Sequence, residues 1–193
     1  MTRPLQGKVA LVTGARAGLG AETVRALAKL GANVVASGRR VGDCAGVVDQ
    51  VTAEGGRAVE LPIDVADLTA IPARAAAAVA LHGRLDILVN NAGTIAPMAR
   101  LADLDASAFD AALAVNVSGP AGLVSALWPQ MAAQGGGRIV NIVSGAANRA
   151  VTGWAAYCAS KAALLMLAKS IELEGSASGI RGFARLAGAS ASS

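Results

Sequence analysis

Aromatic and charged residues are both scarce in this chain of 193 residues. Phe, Trp and Tyr together make up 3% of it and charged residues 16%, whereas 54% of the residues are hydrophobic and 23 are glycine. A core of small aliphatic side chains favours close packing of helices on a sheet over an aromatic-rich β-sandwich. The length is sufficient for one domain with a sizeable core.

Cysteine is rare as well, and the N-terminal region lacks the pattern of a signal peptide. Cys44 and Cys158 are too few for a disulfide framework, which predicts free thiols in a reducing compartment and a cytoplasmic protein. Lys8 precedes only a short apolar run, which suits a strand better than a signal peptide. We also predict no membrane-spanning segment.

The net charge of +4 comes from scattered basic residues, with no run longer than Arg39–Arg40. This pattern indicates a mildly basic surface, so we expect no nucleic-acid partner. His82 is the only histidine and has no metal-ligating residues near it in the sequence, so no metal site is predicted.

Short apolar runs alternate with longer segments of helical periodicity. The predicted strands are residues 9–13, 34–37, 58–63, 85–90 and 138–143, and the predicted helices are residues 21–30, 41–53, 68–81, 104–133 and 155–174. This alternation predicts an α/β fold, a Rossmann-like doubly wound parallel sheet of about five strands in the order 3-2-1-4-5, with helices on both faces. Gly119–Pro120 predicts a kink or break inside residues 104–133.

The segment TGARAGLG, residues 13–20, lies where the first strand turns into the first helix. Its glycines Gly14, Gly18 and Gly20 depart from the G-x-G-x-x-G spacing. Absent side chains and free N–H groups at a helix N-terminus can nevertheless serve the same purpose, which is contact with a pyrophosphate. Taken alone, the pattern is also compatible with an ordinary strand-to-helix turn.

The end of the second strand reads SGRR, residues 37–40, and contains no acidic residue. An acidic residue at this place binds the ribose 2′-OH of NAD, whereas a guanidinium suits the 2′-phosphate of NADP. Arg39, with Arg16 from the glycine loop, therefore predicts a preference for NADP(H) over NAD(H). The alternative is that Arg39 and Arg40 are solvated charges that flank a helix.

The segment YCASK places Tyr157 and Lys161 four residues apart on one helix face. A free tyrosine is a weak acid–base catalyst at neutral pH, and a neighbouring ammonium favours the phenolate. Ser144 follows the fifth predicted strand, where a hydroxyl faces the ligand crevice and can bond a substrate carbonyl. Each of these signals is weak alone, because such pairs occur by chance on many helices.

Taken together, the motifs resemble the short-chain dehydrogenase/reductase family of the classical single-domain type. The matching segments are TGARAGLG, Asp64 in PIDVAD, NNAG at residues 90–93, Asn116 in VNVSG, Ser144 and YCASK. They stand in the order and rough spacing of the family over most of the chain. The resemblance implies an NADP-dependent oxidoreductase, of the carbonyl reductase kind, that acts on a small-molecule ketone or alcohol.

The resemblance also implies roles for particular residues. The implied catalytic residues are Asn116, Ser144, Tyr157 and Lys161, with Tyr157 as the acid or base, Lys161 holding the nicotinamide ribose, Ser144 polarising the carbonyl and Asn116 supporting a water-linked proton relay. The implied cofactor-binding residues are Thr13, Gly14, Arg16, Gly18, Leu19, Gly20, Arg39, Asp64, Val65, Asn90, Ala92, Gly93, Tyr157 and Lys161. Trp154, with Val151 and Met98, would form an apolar entrance, although Trp154 can equally pack against the catalytic helix.

After Arg181 the family continues with another strand, a Pro-Gly segment at the nicotinamide, a lid and a final strand, which the remaining residues do not match. We therefore interpret residues 1–181 as the NAD(P)-binding domain, residues 182–193 as an irregular or disordered tail, and the chain as C-terminally truncated. Frameshift, truncation and a genuinely shorter variant all remain open. The last two family strands would then be missing, leaving residues 138–143 as a bare edge strand.

Two functional hypotheses follow from this interpretation. The first is hydride transfer between NADP(H) and a carbonyl or secondary alcohol by a Ser-Tyr-Lys mechanism. The second is a nucleotide-binding or oligomer-forming remnant with little or no catalysis, because the nicotinamide clamp and lid would be absent. The resemblance further implies a homodimer formed through helices 104–133 and 155–174.

Overall fold

The computed structural model describes residues 3–187, which contain one parallel sheet of six strands with helices on both faces. The strands are β1 (Val9–Thr13), β2 (Asn33–Ser37), β3 (Arg57–Glu60), β4 (Ile87–Asn90), β5 (Gly137–Val143) and β6 (Ile180–Leu186). Their order across the sheet is β3-β2-β1-β4-β5-β6. The chain reverses its direction of winding between β1 and β4, so a crevice opens at the carboxyl ends of these two strands.

Six α-helices connect or cover the strands. They are α1 (Gly18–Lys29), α2 (Ala45–Ala53), α3 (Ile71–Ala80), α4 (Ala106–Leu113), α5 (Gly119–Ala133) and α6 (Ala155–Gly175). Buried residues of α3, α5 and α6 pack on one sheet face, and those of α1 and α2 pack on the other. The predicted Rossmann-like, doubly wound fold is confirmed, and the core consists mostly of Val, Leu, Ile and Ala as the composition indicated.

The predicted number of strands was wrong, because residues 180–186 form a sixth strand. β6 pairs in parallel with β5 along its whole length, from Gly137 opposite Ile180 to Val143 opposite Leu186. Residues 182–186 of the predicted irregular tail therefore lie in the sheet, and residues 188–193 of that tail lie outside the described residues. β5 is consequently an interior strand and not the bare edge that the sequence suggested.

The small residues that argued against a strand are the ones that close packing of α6 on β6 requires. A Cβ at Gly182 would lie 2.4 Å from the Ala168 carbonyl oxygen, and one at Gly175 would lie 2.7 Å from the Ile180 carbonyl oxygen. Strand propensity depends strongly on such contacts, so a rule based on β-branched residues failed here.

The boundary between β2 and α2 also differs from the prediction. The predicted helix 41–53 begins only at Ala45, because Gly42 adopts a φ of 87° and residues 40–43 form a turn. A loop of residues 38–44 therefore separates the end of β2 from the helix, and this loop lies at the crevice.

Residues 106–133 form one helical stretch in which α4 and α5 are joined by a π-helical segment, Ala114–Ser118. The helical stretch does not break at Gly119–Pro120, since Pro120 falls in the first turn of α5, but the regular α-helix is interrupted by the wider π turn that directly precedes this position. By length and composition alone this stretch could cross a membrane, a test that core helices of soluble proteins also pass. Leu123, Leu127 and Met131 are buried in the sheet-facing core.

The outer edge of β6 is partly closed by a side chain of α6. The Glu172 carboxylate accepts a hydrogen bond from the Gly182 N–H at 3.0 Å and from Arg181 Nε at 2.7 Å. These bonds, that of Arg181 first, lower the pKa of the Glu172 carboxyl, so it is ionised at neutral pH. Within residues 3–187, no further strand pairs with this edge.

Replacing Glu172 with Ala is expected to expose this edge, because the Gly182 N–H and the Arg181 guanidinium lose their acceptor. Hydrogen exchange at Gly182 should become faster and light scattering at high protein concentration should increase. Glu54→Ala, which removes an exposed carboxylate at the end of α2, is the matched control. Equal behaviour of the two variants would show that Glu172 does not protect the edge.

Candidate active site

The loop between β1 and α1 is shaped by its glycines. Gly14 and Gly18 have φ angles of 64° and 55°, in the left-handed region that favours glycine. A Cβ at Gly20 would lie 2.2 Å from the Gly14 carbonyl oxygen, so the helix can approach the loop only without a side chain there. Leu19 between these glycines is about half exposed. The result is an open helix N-terminus with no acidic residue in its first turn.

Four hydrogen bonds connect this loop to the residues that follow β4. The Thr13 hydroxyl accepts hydrogen bonds from the N–H groups of Asn91 and Ala92, both at 3.1 Å. The Asn91 amide donates to the carbonyl oxygens of Thr13 at 2.9 Å and Gly14 at 3.0 Å. Thr13 is buried and therefore supports the loop from behind, and Asn91 is a supporting residue that the sequence analysis missed.

A cleft of about 370 Å³ opens at the carboxyl ends of β1 to β4. Seven of the predicted cofactor-binding residues line it, namely Gly14, Arg16, Arg39, Asp64, Val65, Ala92 and Gly93. Asp43 also lines the cleft and was not predicted, because its position depends on the turn after β2. Arg16, Arg39 and Asp64 are exposed, and one oxygen of Asp64 accepts the Ala66 N–H at 3.0 Å.

Asn90 lies beneath the cleft and faces the interior of the sheet. Its amide donates to Asn141 Oδ1 at 2.9 Å, and Asn141 in turn donates to the Leu164 carbonyl oxygen at 3.2 Å. These bonds join β4, β5 and α6. Asn90 Oδ1 is buried and has no hydrogen-bond partner among the described residues. The sequence analysis expected Asn90 to contact a cofactor ribose. Its side chain is buried, so it is not exposed for such a contact.

Asn116 occupies the π-helical segment and is fully buried. Its Oδ1 accepts the Thr94 N–H at 2.8 Å, and its Nδ2 donates to the Thr94 carbonyl oxygen at 2.8 Å and to Ser160 Oγ at 2.9 Å. The Ser160 hydroxyl then donates to the Tyr157 carbonyl oxygen at 2.8 Å. The side-chain amide thus holds the loop after β4 against the helix that carries Tyr157.

Tyr157 and Lys161 lie on one face of α6, as their spacing predicted. The Lys161 ammonium is 5.5 Å from the centroid of the Tyr157 ring and donates to the Ile142 carbonyl oxygen at 2.9 Å. Lys161 is 4% exposed, and this burial lowers its pKa to about 8. A Cβ at Gly93 would lie 3.5 Å from the Lys161 nitrogen, so the glycine leaves that side of the ammonium uncrowded.

Ser144 directly follows β5 and is partly exposed. Its hydroxyl oxygen accepts the Ala146 N–H at 3.3 Å, which leaves the hydroxyl proton free to be donated. Trp154 packs edge-on against Tyr157, with ring centroids 5.8 Å apart, and Ala99 forms a β-bridge with Trp154. Met98, which precedes Ala99, is exposed.

The two cysteines are free, and no group of three or more metal-ligating His, Cys, Asp or Glu residues occurs in residues 3–187. Burial above all, followed by the charges of Glu60 and Asp43, raises the pKa of the Cys44 thiol to about 11. Cys44 is therefore an unreactive thiol at neutral pH.

These features fit a nicotinamide dinucleotide. The glycine loop presents helix N–H groups, and a Cβ at Gly18 would have no atom within 4 Å, so the backbone there is open to a phosphate. Arg16 and Arg39 supply positive charge on the same cleft as the Asp64 carboxylate. The Lys161 ammonium is 3.5 Å from where a Cβ at Gly93 of this cleft would lie, and it is beside the Tyr157 ring.

Comparison with known proteins gives the same classification. A family model described as short chain dehydrogenase matches residues 8–190. D-threitol dehydrogenase of Mycolicibacterium smegmatis is 38% identical over 177 residues, which cover 92% of this chain and 68% of that enzyme. The chain therefore belongs to the short-chain dehydrogenase family, and it is an oxidoreductase by fold and motif.

Solved structures of the family superpose closely. A metagenomic short-chain oxidoreductase in complex with NADP has a TM-score of 0.92 at 39% identity, covering 97% of this chain and 85% of the other. A 7α-hydroxysteroid dehydrogenase complexed with NADH and 7-oxo glycochenodeoxycholic acid has a TM-score of 0.88 at 34% identity, covering 93% and 70%. Relatives of this fold thus bind either nicotinamide dinucleotide.

The buried ammonium of Lys161 makes stability depend on pH in the alkaline range. Its pKa is about 8 in the folded chain against 10.5 in the unfolded chain, so the cost of burying the charge is present below pH 8 and disappears as the pH rises to 10.5. The contribution of Lys161 to the free energy of unfolding should increase across this window by up to about 3 kcal/mol. The Cys44 thiol, whose pKa is raised from 9.0 to about 11, opposes this increase above pH 9.

Urea denaturation of the nucleotide-free protein between pH 7 and pH 10.5 measures this effect, with Lys161→Met as the comparison. The difference in the free energy of unfolding between the two proteins should grow with pH across this window, because Cys44 contributes equally to both and only Lys161 differs. An identical pH slope in both proteins would mean that another group is responsible.

Proposed function

We propose that this chain transfers a hydride between NADP(H) and a carbonyl or secondary alcohol by a Ser-Tyr-Lys mechanism. The observation that carries the proposal is the position of Tyr157, with the Lys161 ammonium 5.5 Å from its ring, on the helix that follows Ser144. NADP(H), when bound, supplies or accepts the hydride, and the protein handles the proton.

In the direction of reduction, the Tyr157 hydroxyl gives its proton to the carbonyl oxygen, and in oxidation the phenolate takes it back. Lys161 favours the phenolate because its ammonium lies beside the ring. The free proton of Ser144 bonds the same carbonyl oxygen and stabilises the charge that develops there. Asn116 acts by holding Thr94 and Ser160, and through Ser160 the backbone of Tyr157.

We propose a preference for NADP(H) over NAD(H) because Arg39 lines the cleft just past the end of β2, with Arg16 on the same cleft. A guanidinium recognises a phosphate through several N–H donors. Asp64 and Val65 would contact the adenine, and Gly14, Gly18, Leu19 and Gly20 the pyrophosphate.

The proposed substrate is a small ketone or alcohol with an apolar group beside the reacting carbon. Trp154 packs on Tyr157, and the segment that carries Met98 is joined to it through the Ala99 bridge. An apolar substituent of a substrate bound at Tyr157 would gain contact area with Trp154, and we propose Met98 as a second apolar contact.

Replacing Tyr157 with Phe tests the chemistry. NADPH-linked reduction of a panel of small ketones should fall by about 100-fold or more, because the proton donor is lost. NADPH should still raise the melting temperature of the variant as it does that of the unmodified chain, since the cleft is unchanged.

The control is thermal stabilisation by NADPH and by NADH at equal concentrations. A chain that is stabilised by NADPH yet turns over none of the ketones before substitution would be the nucleotide-binding protein of the second hypothesis. A stronger effect of NADH would contradict the cofactor preference.

We also propose a homodimer through α4, α5 and α6. A groove of about 410 Å³ between α5 and α6 is lined by Val124, Ser125, Trp128 and Leu167 together with Ile171 and other residues. Apolar grooves between surface helices suit symmetric association.

Ser125→Arg places a charge in this groove and should convert a dimer to a monomer in sedimentation velocity. Ala80→Arg, an exposed position at the end of α3, is the control and should leave the dimer intact. A dimer that survives Ser125→Arg would place the interface elsewhere.

We further propose a cytoplasmic location with no nucleic-acid or membrane partner. The free thiols of Cys44 and Cys158 support a reducing compartment, and the scattered basic residues support a mildly charged surface.

A further inference from the structure

Arg39 is carried by a loop and not by a regular element. Residues 38–44 connect β2 to α2, and both Arg39 and Asp43 in this loop line the cleft. Within residues 3–187, Arg39 has no salt-bridge partner that could hold its side chain in place. The position of its guanidinium therefore depends on how firmly the loop backbone is held.

The loop is held from a neighbouring strand by Glu60, the last residue of β3. One carboxylate oxygen accepts the Cys44 N–H at 2.8 Å and the other accepts the Gly42 N–H at 3.0 Å. Glu60 lies opposite Ala36 of β2, so it stands beside the strand from which the loop departs. A carboxylate is suited to this place because it accepts hydrogen bonds from N–H groups at the start of α2. Its negative charge also interacts favourably with the positive end of the helix dipole.

A second carboxylate tightens the loop from within. Asp43 Oδ2 accepts the Arg40 N–H at 3.1 Å, and the Asp43 N–H donates to the Arg40 carbonyl oxygen at 3.2 Å. A Cβ at Gly38 would lie 2.4 Å from the Asp43 Cβ, so the two ends of the turn are in close contact. These bonds close the turn. The Gly38 carbonyl oxygen accepts the Ile63 N–H at 2.8 Å, which holds the start of the loop to the segment after β3, and Glu60 is the side chain that attaches residues 42–44 to β3.

We infer that Glu60 is the positioning residue for recognition of the cofactor 2′-phosphate. Glu60 does not itself line the cleft, and it acts through the loop that presents Arg39. This inference rests on the proposed NADP(H) preference. Its consequence is selective, because NADH lacks the 2′-phosphate and gains nothing from a well-placed Arg39.

The test measures dissociation constants of NADPH and NADH for the full chain by fluorescence titration. Glu60→Ala should lower the NADPH-to-NADH affinity ratio by about fivefold, as expected when a positioned hydrogen bond is loosened. Glu54→Ala, which removes a carboxylate at the other end of α2, should leave the ratio unchanged. Equal weakening of both nucleotides by Glu60→Ala would indicate a merely structural role and overturn the inference.

Arg39→Ala separates this inference from the proposed function. An unchanged ratio in Arg39→Ala would refute the assigned 2′-phosphate contact itself. A lowered ratio in Arg39→Ala, with no change in Glu60→Ala, would refute only the role of Glu60. In the Arg39→Ala background, Glu60→Ala should have no further effect on the ratio, because there is no guanidinium left to position.

If Glu60→Ala does not fold, the same affinity ratio is measured with Glu60→Gln. The amide retains one acceptor oxygen but turns an NH2 group toward one of the two loop N–H groups, so the ratio should fall to a smaller extent. A glutamine variant with the affinity ratio of the unmodified chain would overturn the inference.

Discussion

The close approach of two strand ends at the centre of the sheet is the constraint on which the candidate site depends. A Cβ at Gly14 would lie 2.8 Å from the Ala92 Cα, so the loops after β1 and β4 touch with no room for a side chain. Hydrogen bonds of the Thr13 hydroxyl and the Asn91 side-chain amide join the two loops. Because the chain reverses its winding at this point, the contact also forms the floor of the crevice in which ligands of such folds bind.

A buried polar network extends from this floor to α6. Asn116 connects the segment after β4 to Ser160, and Asn90 and Asn141 connect β4 and β5 to the backbone of α6. Buried amides are costly unless they are bonded, and here nearly every donor has an acceptor, so the network favours a single arrangement. Asn116 lies in the π-helical segment, the one irregular part of an otherwise regular helical stretch within the described residues.

The sequence motifs predicted most of the residues that line the cleft, because each of those residues follows the carboxyl end of a strand in a parallel sheet. Gly14, Arg39, Asp64 and Gly93 follow different strands, and the carboxyl ends of those strands meet at one edge of the sheet. The residues that sequence reasoning missed are of another kind. Each makes its contacts with residues far away in the sequence, and nothing local in the sequence indicates those partners. The separation is 78 positions for Asn91, 44 for Ser160 and 16 to 18 for Glu60.

The alternation of apolar strands with helices determined the fold class, and the four-residue spacing of Tyr157 and Lys161 determined that they share a helix face, because both depend on local periodicity. Tertiary structure alone decided that residues 180–186 become a strand, since they pair with β5 and Gly182 lets α6 approach closely. It also decided the state of Lys161, whose pKa falls to about 8 because the folded chain buries it. Burial and close contact arise between distant segments, which is why no window of sequence could show them.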